Sequence, residues 1–260
     1  MTLDKQPWLG KKVKSPKSYD PNILFAIPRI QQNASMYGFD LLRCYDFYWQ
    51  TNDGQLKTNM LVIKLPLQSP NIIETKALKL YLISIFHRPF KDANDLRTTL
   101  QADLAQCSQS KEIDVELVDM QHSAKFIADI FYHSFHNISE TSDQKQLSSQ
   151  KGHDQALKLY YDTFLSYCPV TDQPDYATIV IEIRTAELDT EKLTNFLKSF
   201  QNKQDFHENC TNHIYHFLWT HFSPEILVVS AHFTRRGGIE INPYRSSNKH
   251  LSAYLRFPMQ

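Results

Sequence analysis

Residues 165–184 read LSYCPVTDQPDYATIVIEIR. The run "ATIVIEIR" is rich in β-branched residues and predicts a strand, and "LSY" reads as the end of an earlier one. Between them Pro169 and Pro174 bracket a short turn, so the stretch predicts strand, turn, strand. Cys168 stands at the entrance of the turn and Asp175 seven residues on, at its exit. A hairpin would bring the two back toward each other.

Working outward, the next segments fix the fold class. Leu193, Phe196, Leu197 and Phe200 recur at i, i+3, i+4 and i+7 and predict a helix. A further helix covers about 207–221, and "EILVVSAHFTRRGGIEINPYR" (225–245) reads as strand, Gly-Gly turn, strand. The first half has the same plan. "LRCYDFYWQ" (42–50), a turn with Asp-Gly, and "LKTNMLVIKLPL" (56–67) predict a hairpin. Leu78, Tyr81, Leu82 and Ile85 predict a helix, and each stands 115 residues before its second-half counterpart. Leu96, Leu100 and Leu104 mark a second helix, and "EIDVELVDM" (112–120) alternates like a half-buried strand. Strand–strand–helix–helix–strand–strand, present twice, predicts an α+β architecture from a duplicated unit. The expected boundaries are an N-terminal half over 1–135, a polar linker over 136–155, and a C-terminal half over 156–260. Residues 1–40 read as irregular, broken by Pro7, Pro16, Pro21 and Pro28. Open antiparallel sheets leave edges, so closure by self-association is expected.

Composition excludes several function classes. The 260 residues carry 28 Lys+Arg and 28 Asp+Glu, a net charge of zero, which disfavours a broad basic face for nucleic acid. Four dispersed cysteines (Cys44, Cys107, Cys168, Cys210) form no CxxC pair and resemble neither a zinc site nor a disulfide framework. No metal is expected. The N-terminal stretch lacks the apolar core of a secretory signal, and no apolar run approaches a membrane span. The expectation is a cytoplasmic protein with reduced thiols.

Four segments could carry chemistry. Cys168 is either a small buried thiol or a nucleophile, and Asp175 is a carboxyl able to take or deliver a proton beside it. In "DFHENC" (205–210), His207 and Glu208 either open a helix as solvated residues or supply an acid and a recognition carboxylate. The segment lacks the second His of HExxH, so it is no metalloprotease motif. "TRRGGIEINPYR" (234–245) sets arginines beside glycines, either as a solvated hairpin tip or as a place where amides and guanidinium groups meet an anion. In "IETKALKLYLIS" (73–84), Glu74 can cap a helix, and Lys76 can meet a phosphate or face water. Neither GxGxxG nor a P-loop occurs, so any dinucleotide is bound outside the usual Rossmann arrangement.

Taken together, these segments resemble one family. "IETKALKLY" is similar to the ESKSxKLY signature of the NADPH-dependent 7-cyano-7-deazaguanine reductases, the nitrile reductases of queuosine biosynthesis. "LSYCPVTDQPDY", "SFQNKQDFHENC" and "FTRRGGIEINPYRS" resemble that family's other blocks in the same order. "LGKKVKSPKSYDPNILFAIPR" fits its long, two-halved form. Two departures stand out. The family's ESK becomes Glu74-Thr75-Lys76, and the serine after it becomes Ala77, which cannot donate to a phosphate.

The resemblance implies a tandem tunnelling fold (T-fold) and reduction of a nitrile to a primary amine with two NADPH per turnover. It implies that Cys168 attacks the nitrile carbon to give a covalent thioimide and that Asp175 is the proton donor. It places substrate contacts at Ile73, Glu74, Thr75, His207 and Glu208, and cofactor contacts at Thr75, Lys76, Arg236 and Gly237. The implied partners are a 7-deazaguanine nitrile and a second copy of the chain in a homodimer, with sites between subunits or domains. No direct nucleic-acid partner and no membrane are implied. Two other readings are weighed beside it. A zinc-dependent T-fold cyclohydrolase would need a Cys/His cluster that the sequence lacks. A silent purine-binding module would keep Glu208 but has no use for Cys168 and Asp175 together.

Overall fold

The computed structural model describes residues 14–30, 36–119, 135–139 and 156–248. Most of the predicted linker over 136–155 lies outside the described residues. The strands are β1 (Ala26–Pro28), β2 (Tyr37–Thr51), β3 (Leu56–Pro66), β4 (Asn71–Ile73), β5 (Pro89–Phe90), β6 (Asp114–Val118), β7 (His136–Asn137), β8 (Leu157–Tyr167), β9 (Pro174–Arg184), β10 (Ile226–Phe233) and β11 (Ile239–Ser246). The helices are α1 (Thr75–Ile85), α2 (Ala93–Ser108), α3 (Thr190–Lys198) and α4 (His207–Phe222). The fold is mixed α+β, and the long strands pair antiparallel.

The chain forms two compact units. The first holds described residues 14–30, 41–119 and 235–240, and the second holds 36–40, 135–139, 156–234 and 241–248. The division cuts β2 after Asp40 and β11 after Glu240, so each of these strands gives residues to both units.

In the first unit, β3 lies between β2 and β6. The helix stripe predicted from spacing is the buried one: Leu78, Tyr81 and Ile85 of α1 and Leu96, Leu100 and Leu104 of α2 are fully buried. Asp92 caps α2 by accepting from the Asn94 and Asp95 amides, and Gln109 ends it in a left-handed conformation. Tyr19 comes from the stretch read as irregular and hydrogen-bonds Asp103 of α2 at 2.6 Å, as does Tyr81 of α1. The same irregular stretch contains β1, which pairs with β4 from Ala26↔Ile73 to Pro28↔Asn71. Strands this short carry no periodic signal and form only because a partner lies beside them.

In the second unit the order is β11-β10-β9-β8-β7. From Ala177 to Ile183 strand β9 is nearly all buried, which is why "ATIVIEI" shows no polar alternation. Strand β8 shifts register against β9 between Tyr161 and Phe164. Asp162 sits at that shift, its amide donating to Ser139 Oγ at 3.1 Å and its carboxylate accepting from the same hydroxyl at 2.7 Å. Gly38 permits a close approach within this unit, since a Cβ there would lie 2.1 Å from the Tyr244 carbonyl oxygen. The fully buried Arg245 ties the strands to α4. It donates to Asp40 Oδ1 at 2.8 Å, to the Phe39 carbonyl at 3.0 Å and to Asn212 of α4.

Candidate active site

The β8–β9 hairpin sets Cys168 and Asp175 at the two sides of its turn. The Cys168 amide donates to the Gln173 carbonyl at 2.9 Å, and the Asp172 amide donates to the Cys168 carbonyl at 3.0 Å. Asp172 takes a left-handed conformation (φ 54°), a cost that its short polar side chain tolerates. Gln204 then donates to Asp172 Oδ1 at 2.7 Å. The Tyr167 amide donates to the Lys203 carbonyl and its carbonyl accepts from the Asp205 amide, both at 3.0 Å. The turn bearing the thiol is thereby stitched to the segment that enters α4.

Asp175 is buried and faces Ser166 across the ladder. Its Oδ1 lies 3.2 Å from His207 Nε2. Neither His207 nor Glu208 is a solvated first-turn residue: the His207 side chain is 13% exposed and Glu208 is 5% exposed. The His207 ring stacks on Phe233, with centroids 3.8 Å apart and planes 5° apart. Asp205 organises this helix entry, accepting from the Phe206 amide at 2.8 Å and from Asn209 Nδ2 at 2.7 Å. The unit's other described thiol, Cys210, is unlike Cys168. Burial pushes its pKa well up, and the Asp205, Asp175 and Glu208 carboxylates add to the shift. Cys168 is only half-buried. A half-buried thiol, a buried carboxyl and an imidazole on that carboxyl can perform nucleophilic addition with proton delivery.

The remaining predicted residues belong to the first unit. Ile73 is buried at the end of β4. Glu74 is the N-cap of α1: Oε1 accepts from the Lys76 amide at 3.1 Å and Oε2 from the Ala77 amide at 2.7 Å. Thr75 and Lys76 follow in the first turn, half-buried. Arg236 and Ile239 exchange backbone hydrogen bonds around Gly237 and Gly238, whose φ values of 61° and 86° make the two-residue turn that the Gly-Gly pair predicts.

This turn borders a cavity of about 430 Å³ whose lining includes Cys44, Asp46, Tyr48, Lys79, Phe86 and His87. A Cβ on Gly237 would come within 2.9 Å of Lys79 Nζ, and one on Gly238 within 3.1 Å of an Asp46 carboxylate oxygen. The absent side chains therefore bring backbone next to both charges. Burial pushes the pKa of Cys44 well up, with the Glu240 carboxylate adding to it.

Lys79, Asp46 and Phe233 were not singled out from the sequence. Lys79 stands inside the quoted "IETKALKLY" block, which was a usable signal. Phe233 opens the quoted "FTRRGGIEINPYRS" block, but its stack with His207, like the place of Asp46 beside Gly238, is set by strand pairing and a docked helix.

With this geometry in place, comparison with known proteins is informative. Residues 15–117 match the model of the family described as nitrile reductase, 7-cyano-7-deazaguanine-reductase N-term, and residues 174–252 match that of QueF-like protein. The NADPH-dependent 7-cyano-7-deazaguanine reductase of Hahella chejuensis is 32% identical over all of both chains. The protein of that name from Bordetella pertussis is 32% identical over 95% of each. A solved structure, the archaeosine synthase QueF-Like in the apo form, is 18% identical with a TM-score of 0.32 over 37% of this chain and 94% of its own. Since the likeness to the Hahella protein spans both chains end to end, and family models match both the part before the thiol turn and the part after it, the chain belongs to the NADPH-dependent 7-cyano-7-deazaguanine reductases.

Proposed function

We propose that the chain reduces the nitrile of 7-cyano-7-deazaguanine to the 7-aminomethyl compound, with Cys168 as the nucleophile. The observation that carries this reading is the Asp175 Oδ1–His207 Nε2 contact of 3.2 Å at the hairpin that bears the thiol. Sulfur adds to the nitrile carbon and the thiol proton ends on nitrogen, giving a thioimide. Asp175 handles that proton and later delivers protons to the reacting nitrogen, and His207, in hydrogen-bond reach, exchanges protons with it. NADPH, when bound, supplies the hydrides, one per cofactor. The first frees sulfur as thiolate and leaves an imine, and the second with a proton gives the amine.

The substrate's ring N–H and exocyclic amine stand side by side, and a carboxylate accepts both. Glu208 has that role, with His207 beside it, and the Ile73–Glu74–Thr75 segment makes the other substrate contacts. The first unit's residues fit a phosphate-bearing cofactor: the glycine turn leaves room for backbone approach, and Arg236, Lys76 and Lys79 offer positive charge. Thr75 and Gly237 complete that set, and the cavity beside the turn has room for one nucleoside end. The reading extends to a tandem T-fold with halves over 1–135 and 156–260, acting as a cytoplasmic homodimer on a free small molecule in queuosine biosynthesis.

The test separates the two stages. The protein is incubated with 7-cyano-7-deazaguanine alone, and the adduct is sought by mass on the peptide containing Cys168. NADPH is then added. The expected result is a covalent adduct first, then two NADPH oxidised per aminomethyl product, with Cys168→Ala showing neither and losing at least about 10³-fold in turnover. A folded wild-type protein that forms no adduct and oxidises no NADPH overturns the reading.

A further inference from the structure

We propose that Phe233 is a positioning residue for the reaction, holding the His207 imidazole in the one orientation that keeps Nε2 on Asp175. This rests on the reading above, in which that pair moves protons. The bond from His207 to Asp175 uses one ring nitrogen, and Nδ1, though buried, finds no hydrogen-bond partner among the described residues. A single polar contact of 3.2 Å leaves an imidazole free to tilt, because its outer torsion is broad and two-fold. The nearly coplanar stack on Phe233 fixes the ring plane, and the Asp175 bond selects between the two orientations that remain.

Phe233 is itself well anchored. It is 1% exposed and meets Phe164 edge-on, with centroids 6.1 Å apart at 85°. It pairs across the ladder with Ala177, two residues beyond Asp175 on β9, and the next amide, of Thr234, donates to the Tyr176 carbonyl at 3.0 Å. Asp175 and Phe233 therefore belong to one β9–β10 ladder, and His207, arriving on the first turn of α4, docks against both. Any large apolar side chain would fill this volume, but only a flat ring supports the stack.

The test is a double-mutant cycle in the full-length protein: Phe233→Leu, His207→Asn, and both together, each checked by thermal melt and by adduct formation. Phe233→Leu is expected to lower kcat about three- to tenfold, the loss of one stacked aromatic contact, with the NADPH KM unchanged within about twofold. In the His207→Asn background the same substitution should cost nothing further, because its effect passes through the imidazole. Should Phe233→Leu fail to fold, Phe233→Met, a flexible filler without a flat face, replaces it in the cycle. Wild-type kcat in the folded Phe233 variant, wild-type kcat in His207→Asn, or losses that multiply in the double variant would each overturn the proposal. A wild-type protein that forms no adduct removes the underlying reading and this inference with it. Where the wild-type protein forms the adduct and turns over, the cycle tests Phe233 alone.

Discussion

Two glutamates guard the entrances of two helices, one in each unit, and the chain spends them differently. Glu74 precedes α1 and gives both carboxylate oxygens to the amides of its own helix. Glu208 is the second residue of α4, whose N-cap Phe206 makes no side-chain hydrogen bond. It is buried all the same, beside a histidine that reaches a buried aspartate. Capping accounts for the first carboxylate at little cost, since an N-cap acceptor is favoured wherever a helix starts. The second is buried on the first turn of α4 rather than at its N-cap, and interior carboxylates are expensive unless a function or a full set of donors offsets them. On the proposed reading both carboxylates meet the substrate, and Glu74 caps its helix besides.

That contrast can be broken by substitution. The largest expected effect is at Glu208: Glu208→Gln turns one acceptor into a donor facing the substrate's own donors and should lower kcat/KM for the nitrile by about 10²-fold. Steady-state kinetics and adduct formation check it, and both should suffer, because the adduct requires nitrile binding. Gly237→Ala comes next. Its φ of 61° strains any side chain, and the added Cβ displaces the Lys79 ammonium. The expected outcome is about a tenfold rise in NADPH KM, with adduct formation, which needs no cofactor, left intact. Glu74→Ala should lose about 1 kcal/mol of cap energy and about 2–4 °C of melting temperature, together with a smaller loss of nitrile binding than Glu208→Gln. A Glu74 variant that melts normally yet binds nitrile as poorly as Glu208→Gln would show the two glutamates to be alike.

Much of this was legible in the sequence, for a physical reason. Helix stripes such as Leu78–Tyr81–Leu82–Ile85 announce themselves because burial imposes the helical period locally. The corresponding second-half stripe reads less cleanly. Helix α3 stops at Lys198, and Phe200 is buried from the 3-10 turn Ser199–Asn202 instead. Ser199 Oγ donates to the Phe196 carbonyl at 2.6 Å, a local side-chain bond of the kind that competes with helix continuation. The Cys168–Asp175 turn was legible because prolines and a β-branched run bracket it. Pairings set only by tertiary approach were not: β1 with β4, His207 on Phe233 from 26 residues away, and Tyr19 on Asp103 from 84 residues away.

The fastenings of α1 and α4 yield the smallest prediction, and pH separates them. Helix α4 is tied through Arg245, a guanidinium with no titrating proton in the accessible range, which donates to Asn212 of α4 and to Asp40. Helix α1 is tied through phenols: Tyr81 and Tyr19 both donate to Asp103 Oδ2 at 2.6 Å, which requires that they stay protonated. Burial first, then the hydrogen bond and charge of Asp103, push the Tyr19 phenol up to about 12, and the same causes push Tyr81 up further. An acid whose folded pKa is raised stabilises the fold fully below its unfolded value near 10, and that contribution fades as pH climbs from there through about 12. Alkaline conditions should therefore loosen α1 before α4, with amide exchange in α1 accelerating first above about pH 10. Tyr19→Phe should remove one late-titrating phenol from the alkaline absorbance titration and flatten that acceleration, at a cost at neutral pH of about 1 kcal/mol or less, the net worth of one hydrogen bond. Simultaneous loosening of both helices would mean that the phenol cluster does not fasten α1 by itself.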